Sequence, residues 1–292
     1  MKRYGFIYNP TARGNKTDAK FQQLSRLVEP LSGSGIFYSE SREHVSELVN
    51  QIYEDFDVIV ACGGDGTVRE VASELIKTEK TLGIIPLGTG NDLSKTLRIP
   101  KTLTSAMNLL LQGNISKMDV GLCNDFIFLN TLGFGFDGLT NNYVTKMLRT
   151  PSMFRYALAA LRSSINHEPF KVQIKKKGGH PREQEIIMIT LANGRVEGGS
   201  FWIAPQASAT DGKLDLITIR PISRWLIPLL LPLFLIKKGE WIPHVTLEKV
   251  QNVKLIFEKE IPFHADGEVI KSSTNYFHIS LHTRKLPVIC GL

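Results

Sequence analysis

Val58-Ile59-Val60-Ala61-Cys62-Gly63-Gly64-Asp65-Gly66-Thr67-Val68-Arg69-Glu70 is the stretch that decides the fold of this chain. A β-branched run ends in a glycine turn, and a helical pattern follows at once. Val68, Val71, Ala72, Leu75 and Ile76 recur at the i, i+3, i+4, i+7, i+8 spacing of one helix face. A strand feeding a helix through glycines aims backbone N–H groups and a helix N-terminus at one spot, and glycine lets a bulky phosphate approach. A plain phosphate cradle does not explain Asp65. A carboxylate beside a phosphate needs a cation between them, so the turn calls for a nucleotide held with Mg²⁺.

The same grammar occurs twice more. Residues 82–93, LGIIPLGTGNDL, read as a strand, the turn Pro86-Leu87-Gly88-Thr89-Gly90, and a helix start capped by Asn91 or Asp92. Asn9-Pro10-Thr11-Ala12-Arg13-Gly14 follows a strand around Gly5 to Tyr8. A lone GGDG is compatible with a tight turn. Three such loops, each after a strand of an alternating strand-helix chain, gather at the carboxyl edge of one parallel sheet. Thr67 and Thr89, each following a loop glycine, are then candidate phosphate contacts.

Around these loops the first 120 residues alternate strand and helix. Strands are predicted near 3–8, 36–39, 58–62 and 82–86, with amphipathic helix faces such as Phe21, Leu24, Leu27, Val28 and Leu31 between them. Beyond residue 120 short strand-like runs dominate, near 126–131, 170–176, 185–192, 214–219, 250–257, 261–265 and 276–281. Helical stretches interrupt them at about 139–165 and 223–237. The expected fold is α/β followed by β: a doubly wound N-terminal domain over residues 1–120 and a C-terminal β-sandwich over 121–282. The active site is expected in the cleft between them.

Composition narrows the class. The chain has 292 residues, enough for two domains, and a formal net charge of +7 that suits an anionic nucleotide or an anionic lipid surface. Its basic residues are dispersed and no nucleic-acid-binding motif occurs, so no nucleic-acid partner is expected. Cys62, Cys123 and Cys290 are far apart and outside metal-ligand spacing, which suggests a reducing, cytoplasmic compartment. The opening MKRYGFIYNP runs straight into the first strand, so no signal peptide is expected. Gly133-Phe134-Gly135-Phe136-Asp137-Gly138 matches a dinucleotide fingerprint, but no acidic residue follows about 20 positions on. It reads as a turn at the domain junction. No Walker A lysine is present.

The order NPTARG, GGDGTV, PLGTGND resembles the diacylglycerol kinase catalytic family, which includes bacterial soluble lipid kinases and the sphingosine and ceramide kinases. The likeness continues through Lys117-Met118-Asp119-Val120-Gly121, Asn193-Gly194, Gly198-Gly199, Ala204-Pro205, Asp211-Gly212-Lys213-Leu214-Asp215 and Asp266-Gly267-Glu268, so it spans nearly the whole chain. It implies ATP- and Mg²⁺-dependent transfer of a phosphoryl group to a lipid hydroxyl, with diacylglycerol yielding phosphatidic acid. The alternatives are a sphingoid or ceramide lipid, a soluble NAD kinase-like activity, or a lipid-binding regulator without catalysis.

The resemblance also distributes roles. Asn9, Pro10, Ser39, Gly63, Gly64, Asp65, Gly66, Thr67, Gly88, Thr89 and Asn91 would contact the nucleotide, with Asp65 toward Mg²⁺. Glu268 would accept the hydroxyl proton, with Asp266 as supporting carboxylate or rival, the two sharing one strand face. In isolation Asp266-Gly267 reads as a hairpin turn. His264 would be a polar neighbour and not a metal ligand. Asp215 and Asp119 would hold a structural Mg²⁺ that fastens the second domain to the first. Arg69 departs from the usual asparagine, and residues 283–292 would pack back on the first domain.

Trp225 to Ile236 is an unbroken apolar run with two prolines, bracketed by Arg224 and Lys237-Lys238. It is too short for a transmembrane helix, which needs about 20 residues. With no polar face it must be buried or meet lipid. The expectation is therefore a cytoplasmic protein working at the inner, anionic membrane face through peripheral contact, and a homodimer is a further candidate assembly.

Overall fold

The computed structural model describes residues 2–10, 17–147, 152–271 and 273–292. They form two compact units, residues 1–118 with 284–292 and residues 119–283. The first unit begins with β1 (Tyr4–Tyr8), α1 (Thr17–Val28), β2 (Gly35–Tyr38), α2 (Arg42–Ile52), β3 (Val58–Gly63), α3 (Asp65–Leu75) and β4 (Thr81–Pro86). It continues through α4 (Asp92–Thr96), α5 (Leu103–Gln112) and β5 (Ile115–Met118).

The second unit holds β6 (Gly121–Cys123), β7 (Phe126–Phe128), β8 (Thr131–Gly135), α6 (Phe136–Lys146), α7 (Ser152–Asn166), β9 (Phe170–Lys176), β10 (Arg182–Ile186) and β11 (Met188–Ala192). Next come β12 (Leu214–Ile219), α8 (Ile227–Leu235), β13 (Val245–Val250), β14 (Asn252–Phe257), β15 (Phe263–Ala265), β16 (Glu268–Ile270) and β17 (Tyr276–Leu281). The last strand, β18 (Leu286–Ile289), returns to the first unit.

The first sheet runs β2-β1-β3-β4-β18-β5. Its first five strands pair in parallel and β5 joins antiparallel to β18. Strands β1, β3 and β4 are buried along their whole length, as parallel strands covered on both faces must be. From β1 the chain moves outward to β2, whereas from β3 it moves the other way to β4. The ends of β1 and β3 therefore lie at a topological switch point, where open α/β sheets bind ligands.

The second unit is a sandwich of two antiparallel sheets, β10-β9-β14-β17-β6-β7 and β13-β12-β11-β8-β15-β16. Phe134 from one sheet packs against Phe257 and Phe277 of the other, at 5.2 and 4.8 Å between ring centroids. Two expected strands each prove to be two. The run 185–192 breaks at Ile187 into β10 and β11, and the run 250–257 follows β13 across Gln251 into β14. In both cases the halves lie in opposite sheets, because a chain turning a sandwich corner keeps feeding the same core from the other side.

The stretch 133–138 is not a junction turn. Gly133 and Gly135 belong to buried β8, and α6 starts at once. Gly135 has φ of 74°, and a Cβ there would strike the Phe170 ring and the Ile187 carbonyl. The expected helix 139–165 is the pair α6 and α7.

Candidate active site

In the first unit the glycine turns touch. A Cβ on Gly88 would overlap the Gly64 Cα, so the two loops meet backbone to backbone. The amides of Leu87 and Gly88 both donate to the Gly63 carbonyl, at 2.9 and 3.1 Å. Helix α3 begins at Gly64 with no side-chain cap, leaving its N-terminal dipole to face whatever lies beyond the turn. The Asn9 amide reaches across from the end of β1 and donates to Thr67 Oγ1 at 3.0 Å. Asn91, in the left-handed region at φ 51°, donates from Nδ2 to the Gly88 carbonyl at 2.8 Å and shapes the second loop. Thr89 is exposed at its tip.

Asp65 joins the loops. Its Oδ1 accepts the backbone amides of Asp92 at 2.8 Å and Leu93 at 3.3 Å, capping α4 from a distance. Its Oδ2 faces Gly90, where a Cβ would come within 3.0 Å. Oδ1 is thus structural, and carboxylate oxygen at this spot is the ligand type a hard cation prefers. Ser39 is buried, and its hydroxyl donates to the Tyr8 carbonyl at 3.3 Å. Arg69 pairs with Glu70 at 3.6 Å. Of the first loop, Asn9 and Pro10 are placed, while Arg13 and Gly14 lie outside the described residues.

In the second unit Asp266 and Gly267, with φ of 51° and 81°, are the central residues of a type I′ turn closing the β15–β16 hairpin. The turn separates Asp266 from Glu268, so the two acids do not share a strand face as expected. Asp266 Oδ1 accepts the amides of Asn130 and Thr131, at 2.7 and 3.1 Å, and Oδ2 that of Leu129 at 2.9 Å. Three backbone N–H groups thus occupy the Asp266 carboxylate. It staples the hairpin to the segment entering β8. Glu268, half-buried, opens β16 just past the turn.

Beneath the hairpin lies a buried cluster that no ligand spacing in the sequence marks. His264 Nε2 sits 3.2 Å from Asp137 Oδ2 and 2.9 Å from Glu197 Oε1. All three side chains are essentially inaccessible. Thr190 and Tyr156 hydroxyls donate to Asp137 at 2.8 and 3.1 Å, and Asn141 donates to Glu197 Oε1 at 3.0 Å. Gly133 has no side chain because a Cβ would collide with Asp137 and His264.

Burial and the Asp137 charge push Glu197 up to about 7. Burial opposes a charge on His264, but attraction to Glu197 and Asp137 outweighs it and raises the ring. These are claims on one proton. The Gly267 amide donates to His264 Nδ1 at 3.2 Å and needs a lone pair there. The ring therefore keeps its single proton on Nε2, and the shared proton rests on Glu197. The three ligand atoms lie within 4.8 Å of one another, close enough for a cation. An Nε2-bound metal would require the ring to lose that proton too, so the tautomer opposes a metal here.

Two known patterns cover the chain. The diacylglycerol kinase catalytic domain matches residues 3–123, and the YegS C-terminal NAD kinase beta sandwich-like domain matches residues 130–287. The chain belongs to the diacylglycerol kinase catalytic-domain family. It is 31% identical to a probable lipid kinase YegS-like of Klebsiella pneumoniae over 89% of each chain. It is 28% identical to a diacylglycerol kinase of Bacillus subtilis over 92% of this chain and 90% of that one. A putative diacylglycerol kinase of Bacillus anthracis superposes with a TM-score of 0.82 at 24% identity, covering 99% and 97% of the two chains. An NAD kinase of Archaeoglobus fulgidus shares the fold at a TM-score of 0.56 and 13% identity, covering 98% and 93%. The protein is a lipid kinase, a phosphotransferase.

Asp119 and Asp215 of the kinase are both buried and both belong to the second unit. Asp119 Oδ2 accepts the Gly212 amide at 2.7 Å. Lys249, opposite Asp215 on β13, sets its ammonium 3.3 Å from Asp215 Oδ2 and 2.6 Å from Asp211 Oδ2. Burial raises Asp215, and Lys249 works against that shift. An all-oxygen set suits Mg²⁺ in type, but here a lysine already supplies the positive charge. A metal shared by these acids would brace a loop of the second unit instead of joining the two. Lys249→Met is expected to lower the melting temperature and make it Mg²⁺-dependent, while the parent protein melts alike with and without chelator. A variant indifferent to Mg²⁺ would show that these acids do not bind it.

Helix α8 of the kinase is apolar on both faces. Ile227 and Phe234 are buried, whereas Trp225, Leu229 and Ile236 are 77%, 72% and 63% exposed. The run 225–236 is thus partly buried and partly exposed. Leu158, Leu161 and Ile165 add an exposed stripe along α7, and Arg224 donates to the Ile165 carbonyl at 3.3 Å, linking the two helices. Lys237 and Lys238 lie over the rings of Trp202 and Trp241, at 3.9 and 3.8 Å. Among the described residues no helix is long and apolar enough to cross a membrane.

Proposed function

We propose that this kinase transfers the γ-phosphoryl group of ATP to the free hydroxyl of diacylglycerol, giving phosphatidic acid. One observation carries the reading: two glycine turns in backbone contact at the switch point, with a carboxylate tied into both of them. Amides of the 63–67 and 87–91 turns and the α3 dipole offer donors to the phosphates. Asn9, Thr67, Thr89 and Asn91 flank them. Mg²⁺, when bound, screens the phosphate charge against Asp65. The lipid oxygen forms the new O–P bond, the bond to the bridging oxygen of ADP breaks, and the hydroxyl proton passes to Glu268. Asp266 is left out of that step because three amides occupy it, and it positions the hairpin.

Diacylglycerol is favoured over other acceptors by the names of the Bacillus subtilis and Staphylococcus carnosus relatives. The test is a panel of acceptors, diacylglycerol, ceramide, sphingosine and NAD, under Mg-ATP. The highest kcat/KM is expected for diacylglycerol; a higher value for any other member would replace it.

The same reading brings the protein to its substrate through α8 and α7. Tryptophan and leucine beside Arg and Lys are the chemistry of an anionic membrane interface. Trp225→Ser with Leu229→Ser should weaken binding to anionic vesicles by roughly 10-fold or more, given the apolar area withdrawn. Unchanged sedimentation with vesicles would move the contact elsewhere.

A further inference from the structure

Glu268 opens β16, an edge strand whose one neighbour in its sheet is the equally short β15. The two strands meet through the pairs Phe263 with Ile270, His264 with Val269 and Ala265 with Glu268. So short a ladder at the edge of a sheet holds its outer strand weakly, whereas a general base must be held to within about 0.5 Å. The turn therefore needs ties outside the ladder. In a two-residue hairpin the amides of the central pair have no ladder partner. The Asp266 amide donates to the Thr131 carbonyl at 2.8 Å. The Gly267 amide, one residue before Glu268, donates to His264 Nδ1 at 3.2 Å.

Among the described residues that is the one hydrogen bond of the His264 side chain, which is 0% exposed. Nε2 lies 3.2 Å from Asp137 Oδ2 and 2.9 Å from Glu197 Oε1 without the alignment of a hydrogen bond. A wholly buried imidazole is costly to desolvate, and an apolar side chain would fill this place without that cost. What the ring gives in return is an acceptor for the turn. Its orientation is set from behind: the Asp137 charge beside Nε2 favours the ring proton there and leaves the lone pair at Nδ1. Helix α6, which carries Asp137, lies directly against the hairpin. A Cβ on Gly138 would strike the Pro262 carbonyl, and Asn141 Oδ1 lies 3.7 Å from where a Gly267 Cβ would stand.

We propose that His264 is a positioning residue for phosphoryl transfer, its Nδ1 holding the Gly267 amide and so fixing where Glu268 presents its carboxylate. This rests on the reading of Glu268 as the base that takes the lipid hydroxyl proton. His264 itself is closed off inside the sandwich unit and acts through the turn alone.

Asparagine sets its side-chain oxygen near the place of Nδ1 and glutamine near that of Nε2, so the two separate the tie to Gly267 from mere polarity. His264→Asn should keep kcat for diacylglycerol within about 3-fold of the parent. His264→Gln and His264→Leu should lose roughly 10-fold or more, with KM for diacylglycerol and for Mg-ATP little changed. If His264→Leu fails to fold, His264→Gln carries the comparison. The deciding measurement repeats His264→Gln in the Glu268→Gln background, reading the residual transfer with γ-labelled ATP. A group that acts only through Glu268 has nothing left to act on there, so kcat should change by less than about 2-fold. Equal kcat in the Asn and Gln variants, or the same loss in both backgrounds, overturns the positioning role and leaves Glu268 as the base. Parent-like turnover in Glu268→Gln overturns the base reading, and the positioning role with it. The parent protein alone supplies a further check by nitrogen NMR of its histidine rings. His264 should be protonated at Nε2 and unprotonated at Nδ1; the opposite tautomer overturns the proposal.

Discussion

Asp65→Asn is expected to reduce phosphoryl transfer by at least roughly 10²–10³-fold, the scale of removing one preorganised electrostatic contact to a developing charge. Asparagine is the informative replacement. Its side-chain oxygen can still accept the Asp92 and Leu93 amides, so α4 stays capped and the two glycine turns remain tied. What disappears is the charge at Oδ2 beside Gly90. The melting temperature should change little, and the loss should appear in kcat and in the Mg²⁺ concentration needed. Near-normal turnover in the Asp65→Asn variant would remove Asp65 from the metal role. A collapse in stability would show that its importance is the cap.

Glu268→Gln is the second large effect. Loss of a general base costs roughly 10²–10⁴-fold, and the loss should fall on kcat with KM for lipid nearly unchanged. Asp266→Asn separates the two acids. It removes the charge from a carboxylate that gathers three amides and should destabilise the hairpin, lowering melting temperature and activity together. If Glu268→Gln altered only lipid affinity, Glu268 would be a substrate contact.

The first unit was legible because its signals are local. Glycine turns, β-branched runs and helix periodicity each occupy about a dozen residues, and β1 to β4 lie where those signals place them. The strand order was not legible, yet it brings Asn9 to Thr67. In the second unit the corners at Ile187 and Gln251 were invisible, because an apolar run looks the same whether it stays in one sheet or crosses to the other.

The acidic residues divide along similar lines. Asp266-Gly267 was readable both as a turn and as a site, and it is a turn whose carboxylate also holds the neighbouring segment in place. The Asp137–Glu197–His264 cluster was missed because its members are 60 and 67 residues apart in sequence, with no ligand spacing to mark them. The one available hint was Gly133, a glycine inside a strand, which signals something approaching closely. Nothing in the sequence marks Lys249, since only the register of β12 on β13 sets it opposite Asp215.

The central claim, that this chain phosphorylates a lipid hydroxyl from ATP, is most directly tested by supplying purified protein with Mg²⁺, γ-labelled ATP and a total lipid extract. The labelled product is then identified by mass. Label in phosphatidic acid, lost in the Asp65→Asn variant, is the result expected here. Label confined to a soluble acceptor such as NAD, or no transfer to any lipid, would contradict it.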